Sequence, residues 1–142
     1  MSSGEFTAGR TFLIRAPHDS DIIQFLTETA KTNAITTATF TAIGALKNAK
    51  LGFYDQTTHE YSEIPLEAPQ EIASCTGNIS LKEGDPFVHA HAVLADHNGI
   101  TKAGHLLEGK VFAAEVQITE LLGENPLRKK DVITGLFLWE MS

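Results

Sequence analysis

Apolar and polar residues alternate along most of this chain, and the alternation is interrupted once. The stretch RTFLIRA, residues 10–16, alternates and is stopped by Pro17, the pattern of a strand. The segment that follows, HDSDIIQFLTETAKTN, changes period. Ile22, Ile23, Leu26 and Ala30 form a stripe at helical spacing, Asp19 or Ser20 can cap its start, and Asn33 suits its end. This is the one helix the pattern predicts, and its charged face carries no motif. From residue 38 onward the period returns to two. ATFTAIGAL (38–46), AKLGFYD (49–55), YSEIPLE (61–67), EIASCTGNISL (71–81), FVHAHAVLA (87–95), TKAGHLLEG (101–109), KVFAAEVQITELL (110–122) and ITGLFLWEM (133–141) each read as strands. The breaks between them fall at Asp55 to Glu60, Asp85-Pro86, Asn98-Gly99 and Asn125-Pro126. Many strands, short connections and one early helix predict an α+β fold: a compact domain with a mainly antiparallel sheet and a flanking helix. Parallel winding needs more helices than the pattern supplies.

Composition adds limits to that picture. The 142 residues suit a single domain that builds its core without staples, with no linker or repeat. One cysteine, Cys75, excludes an internal disulfide and sits in an alternating apolar stretch, where it reads as a small buried hydrophobe. No run of about 18 apolar residues and no signal-like leader is visible, so the expectation is a cytoplasmic protein away from the membrane. Eighteen acidic residues against 11 basic ones leave a net charge of −7, which opposes the counterion release that drives non-specific nucleic-acid binding. Two local basic patches are candidates, Lys47 with Lys50 and the run Arg128-Lys129-Lys130; the run follows Asn125-Pro126 and reads as a solvated loop, and it is also the candidate contact for nucleic acid.

The candidate chemistry lies in FVHAHAVLADHNGITKAGHLLEG, residues 87–109, which holds four of the six histidines. Two hairpin registers are open. A two-residue turn at Asn98-Gly99 pairs His91 with Leu106 and turns His105 away from His89 and His91. A three-residue loop, His97-Asn98-Gly99, with Gly99 in the left-handed position, sets His105 opposite His91 with His89 on the same face. Opposed Cβ atoms are then about 5 Å apart and diagonal ones about 7–8 Å, so three imidazoles can converge on one ion and leave a coordination position open. Such a site suits zinc or another divalent transition metal. The competing reading is a half-exposed strand whose polar side happens to carry imidazoles. Glu108 and Glu115 are the carboxylates that could brace a ligand or act as a general base. No nucleophile elbow, phosphate loop or cysteine–histidine pair stands beside these residues, and Gly44, Gly52 and Gly104 read as bends or bulges. His18 and His59 read as surface residues.

The run GDPFVHAHAVLADHNGITKAGHLLEGKVFAAEVQI, with GRTFLIRAPHDSDIIQFL and ATFTAIGALKNAKLGFYD, resembles the plant-and-prokaryote-conserved (PPC) domain, a family also known from plant AT-hook nuclear proteins. The likeness runs from about Phe6 to Trp139. It implies a homotrimer, and it matches the H-x-H and G-H-L-L-E-G of small prokaryotic members to His89, His91 and His105. It also implies the DNA-binding description that those members carry. The AT-hook core Arg-Gly-Arg-Pro is absent, so DNA binding rests on analogy alone. The reading that results is a divalent-metal-binding homotrimer, probed against two rivals. One is a metal-dependent enzyme acting on a small molecule, with Glu115 or Glu108 moving protons. The other is an interaction module that holds DNA or a partner protein.

Overall fold

In the computed structural model, which describes residues 4–140, the elements run β1 (Thr7–Ala16), α1 (Ile22–Thr32), β2 (Ala38–Tyr54), β3 (Tyr61–Leu66), β4 (Gln70–Lys82), β5 (Asp85–Ala95), β6 (Thr101–Leu122), β7 (Leu127–Lys130) and β8 (Phe137–Glu140). The α+β class, the antiparallel sheet and the flanking helix match the expectation. Five details do not. The two stretches at 38–46 and 49–55 are one strand, β2, and those at 101–109 and 110–122 are one strand, β6. Bends that a sequence reader takes for loops are absorbed as bulges, where the pairing of β2 shifts between Ala42 and Gly44 against β4 and between Lys50 and Leu51 against β6. Asp85-Pro86 does not break the chain. The turn is made by Glu83 and Gly84, both at positive φ, and Pro86 lies within β5 opposite Leu81. Leu127–Lys130 is a strand, contrary to the solvated-loop reading. The final strand spans Phe137–Glu140, because Asp131 closes a turn on the Thr134 amide at 2.7 Å; Met141, the last residue of ITGLFLWEM, lies outside the described residues.

The helix starts where a side chain can satisfy its free amides. Asp21, not Asp19 or Ser20, is that cap: one oxygen accepts from the Gln24 amide at 2.8 Å and the other from the Gly109 amide at 2.8 Å. Asp19 is held at φ 65° and pairs with Lys47 instead, while the Ser20 hydroxyl donates to the Pro17 carbonyl. The cap therefore also ties α1 to β6. Ile22, Leu26 and Ala30 are fully buried against the sheet, where α1 packs on β5 and β6. Each Leu or Ile so buried contributes roughly 1.5–3 kcal/mol.

Pairings β2–β4, β4–β5, β5–β6 and β6–β2 return to their starting strand, so these four strands close into a ring. The side chains facing inward, among them Phe40, Leu46, Ile79, Ala90, Leu94, Val111 and Ile118, make the core with α1. Cys75 belongs to it, and burial pushes its thiol up to about 11, which fits a packing role. Because strand side chains alternate, burying Val88, Ala90 and Ala92 turns His89 and His91 to the opposite face. The β7–β8 hairpin flanks that outer face, joined to β4 by a parallel bridge at Leu81 and Leu127.

Candidate metal centre

The hairpin register decides whether three imidazoles can meet. His91 pairs with His105 and Ala95 with Thr101, the register of the three-residue loop. The Asp96 amide donates to the Ile100 carbonyl at 3.0 Å, the Gly99 amide returns to the Asp96 carbonyl at 2.9 Å, and Gly99 takes φ 74°. Asp96 adds a device that the dipeptide signal did not reveal. Its Oδ1 accepts the amides of Asn98 at 2.8 Å and Ile100 at 3.0 Å, a side-chain turn that holds the loop in this form. His97 is exposed at the tip.

On the outer face the ring centroids of His89 and His91 stand 5.1 Å apart, those of His89 and His105 5.1 Å, and those of His91 and His105 5.5 Å. One nitrogen from each ring lies within 4.8 Å of the others, and no carboxylate or thiol among the described residues joins the group. His89 and His105 are half-buried and His91 is exposed. Burial, then the neighbouring His105, Arg128 and His91, depresses the His89 pKa to about 4; burial, then His91 and Arg128, also depresses that of His105. Both rings are therefore neutral near pH 7, the state in which imidazole offers a lone pair to a metal. The Nδ1 of His105 is buried and, among the described residues, has no hydrogen-bond partner.

The other candidates lie elsewhere. Glu108 is held by Lys50 at 2.5 Å, and Lys50 also reaches Glu63 at 3.3 Å. Glu115 sits between Arg15 on β1 and Ile43 on β2, about 30 Å along β6 from His105. Neither touches a histidine of the group. His18 and His59 are exposed, as expected.

The basic run divides. Lys129 pairs with Glu140, whereas Arg128 is 7% exposed and spent on the molecule itself. Its Nε donates to the Ser80 hydroxyl at 2.8 Å, one terminal nitrogen to the Asn78 side-chain carbonyl at 2.7 Å, and the other to the Phe137 carbonyl at 2.9 Å. Phe87 and Trp139 stack about it, and Trp139 also donates to Ser80 at 3.0 Å. Asn78 is the cross-strand partner of His89 and Ser80 that of Phe87, so this guanidinium lies on the same face as the histidines. Sequence reading missed its burial because a charged side chain covered by partners from β4 and β8 carries no alternation signal. The aromatic pair Phe137 and Trp139, at period two beyond a turn, was the one hint. Tyr61, 5.9 Å from His105 ring to ring, was missed because only the pairing of β2 with both β3 and β6 brings it beside that histidine.

The family model of the Plants and Prokaryotes Conserved (PCC) domain matches residues 3–122. Among solved structures, a metal-containing protein from Archaeoglobus fulgidus is similar over 99% of both chains, with 41% identity and a TM-score of 0.95. A plant- and prokaryote-conserved protein from Pyrococcus horikoshii is similar over 100% of this chain and 99% of its own, with 44% identity and a TM-score of 0.95. A candidate DNA-binding protein from Ralstonia eutropha shares 27% identity over 92% of this chain and 90% of its own, with a TM-score of 0.82. Among curated proteins none matches.

Proposed function

Because the chain belongs to the Plants and Prokaryotes Conserved domain family, we propose that it is a divalent-metal-binding member of that family, holding zinc through His89, His91 and His105 in a homotrimer. The observation that carries the reading is the convergence of three imidazole nitrogens within 4.8 Å, with Nδ1 of His105 buried and unpartnered. A buried polar atom left unsatisfied costs roughly 1–3 kcal/mol, and coordination removes that cost. Tetrahedral zinc at 2.0–2.1 Å needs nitrogens about 3.3 Å apart, a closure within reach of modest ring rotations. The donor set also selects the ion, since neutral imidazoles suit zinc and its neighbours while calcium and magnesium demand oxygens. The Archaeoglobus fulgidus relative, described as metal-containing, supports the same reading.

When bound, the ion is a Lewis acid with one position open to a ligand. The chain's own contribution is to hold two of the three rings neutral by burial and to set their spacing through the β5–β6 register. An enzyme that moves protons with Glu108 or Glu115 is the weaker reading, because Lys50 holds the first and the second lies far along β6. Metal analysis of protein purified without an affinity tag tests the proposal. One ion per chain is expected, with most of it lost in His105→Ala; metal-free protein at stoichiometric sensitivity contradicts it.

A further inference from the structure

Beside the histidines sits a buried positive charge that the metal reading does not use. Arg128 is 7% exposed, and no carboxylate among the described residues pairs with it. Its three hydrogen bonds go to neutral acceptors on Ser80, Asn78 and Phe137. Burying an ion without a counter-charge is expensive, and removing its water is not repaid by neutral partners alone. If the residue served only to join β4 to β8, a neutral donor such as glutamine could do so without that cost. The charge is also close to the triad: Asn78, which it grips, lies opposite His89, and its field reaches both His89 and His105. A divalent ion on the histidines adds two more positive charges to the same face. A guanidinium has five N–H groups, and the three bonds leave two to offer.

We propose that Arg128 is the anchor for a small organic carboxylate, one of whose oxygens occupies the open metal position while the guanidinium receives the other. This inference rests on the metal-binding reading of His89, His91 and His105. The two contacts match the two oxygens of a carboxylate. A phosphate is commonly met by a helix N-terminus or a nest of backbone amides, and the strands β4 and β5 supply neither. The surroundings, Phe87 and Trp139 about Arg128 and Tyr61 beside His105, offer apolar contact to a carbon skeleton.

The test uses the full chain loaded with cobalt(II), whose visible spectrum reports ligands entering the coordination sphere, titrated separately with acetate and with inorganic phosphate. Acetate is expected to change the wild-type spectrum saturably, and Arg128→Gln to weaken its affinity by about tenfold or more with cobalt stoichiometry unchanged. Where Arg128→Gln does not fold, Arg128→Lys is read in its place; it keeps the charge, loses the planar fork, and is expected to bind acetate more weakly than wild type. Equal acetate affinity with and without the guanidinium overturns the proposal, as does saturation by phosphate where acetate has no effect. Failure to bind cobalt at all removes the metal reading and this inference with it, whereas cobalt bound at one per chain with acetate inert removes the inference alone.

Discussion

His89 carries the pH behaviour of the site. Burial is the first cause of its depressed pKa, about 4 against an unfolded value near 6.5, with His105, Arg128 and His91 adding to it. Between those values the unfolded chain takes the proton first. Stability from this group is therefore complete above pH 6.5 and is lost as pH falls toward about 4. Melting curves of the metal-free protein from pH 7 to pH 4 should fall more steeply for wild type than for His89→Asn; parallel curves would refute the depressed pKa. At this scale the sequence was readable where chemistry followed alternation. An H-x-H pair must share a face in a strand, and Cys75 inside an apolar stretch had to be buried. Arg128 was not readable, since its burial depends on Ser80, Asn78, Phe87 and Trp139, which only the fold assembles.

The β5–β6 hairpin turns local rules into a site. Two registers were compatible with Asn98-Gly99, and the three-residue loop prevails because Asp96 caps the amides of Asn98 and Ile100 while Gly99 supplies φ 74°. A Cβ at Gly99 would meet nothing within 4 Å, so the cost of Gly99→Val is set by backbone strain, about 1–2 kcal/mol. That variant should melt at lower temperature and bind metal more weakly in a chelator competition, while His97→Ala does neither; unchanged binding in Gly99→Val would separate the register from the site. Gly77 works differently. A Cβ there would stand 2.2 Å from the His89 carbonyl, so the strand carrying two of the histidines can lie this close to β4 only across a glycine. The length of β2 and β6 escaped sequence reading because their bends are bulges, and a bulge leaves the alternation interrupted just as a loop does.

For the molecule as a whole, the outer face of β1, β2 and β6 leaves apolar surface uncovered. Leu13 is 79% exposed and Ile43 58%, on either side of Glu115 and Gln117. Val132 and Ile133 in the last turn are exposed as well. Exposed apolar residues grouped on a sheet face favour assembly, and a trimer is the state expected in light scattering; the 15.4 kDa mass of a single chain would exclude it. The burial of Arg128 and the pairing of Lys129 with Glu140 dismantle the one basic run, and the net charge of −7 opposes a polyanion. Affinity for generic duplex DNA at physiological salt is expected on the order of 10⁻⁴ M or weaker, and sub-micromolar, salt-dependent binding would overturn that. No helix among the described residues is long and apolar enough to cross a membrane. The central claim is that three imidazoles of the β5–β6 hairpin hold one ion, and X-ray absorption at the zinc edge of the purified protein tests it most directly. Three nitrogen scatterers at about 2.0–2.1 Å with imidazole outer-shell features, plus one further light atom, are predicted. A shell of sulfur, or of oxygen without imidazole features, would contradict it.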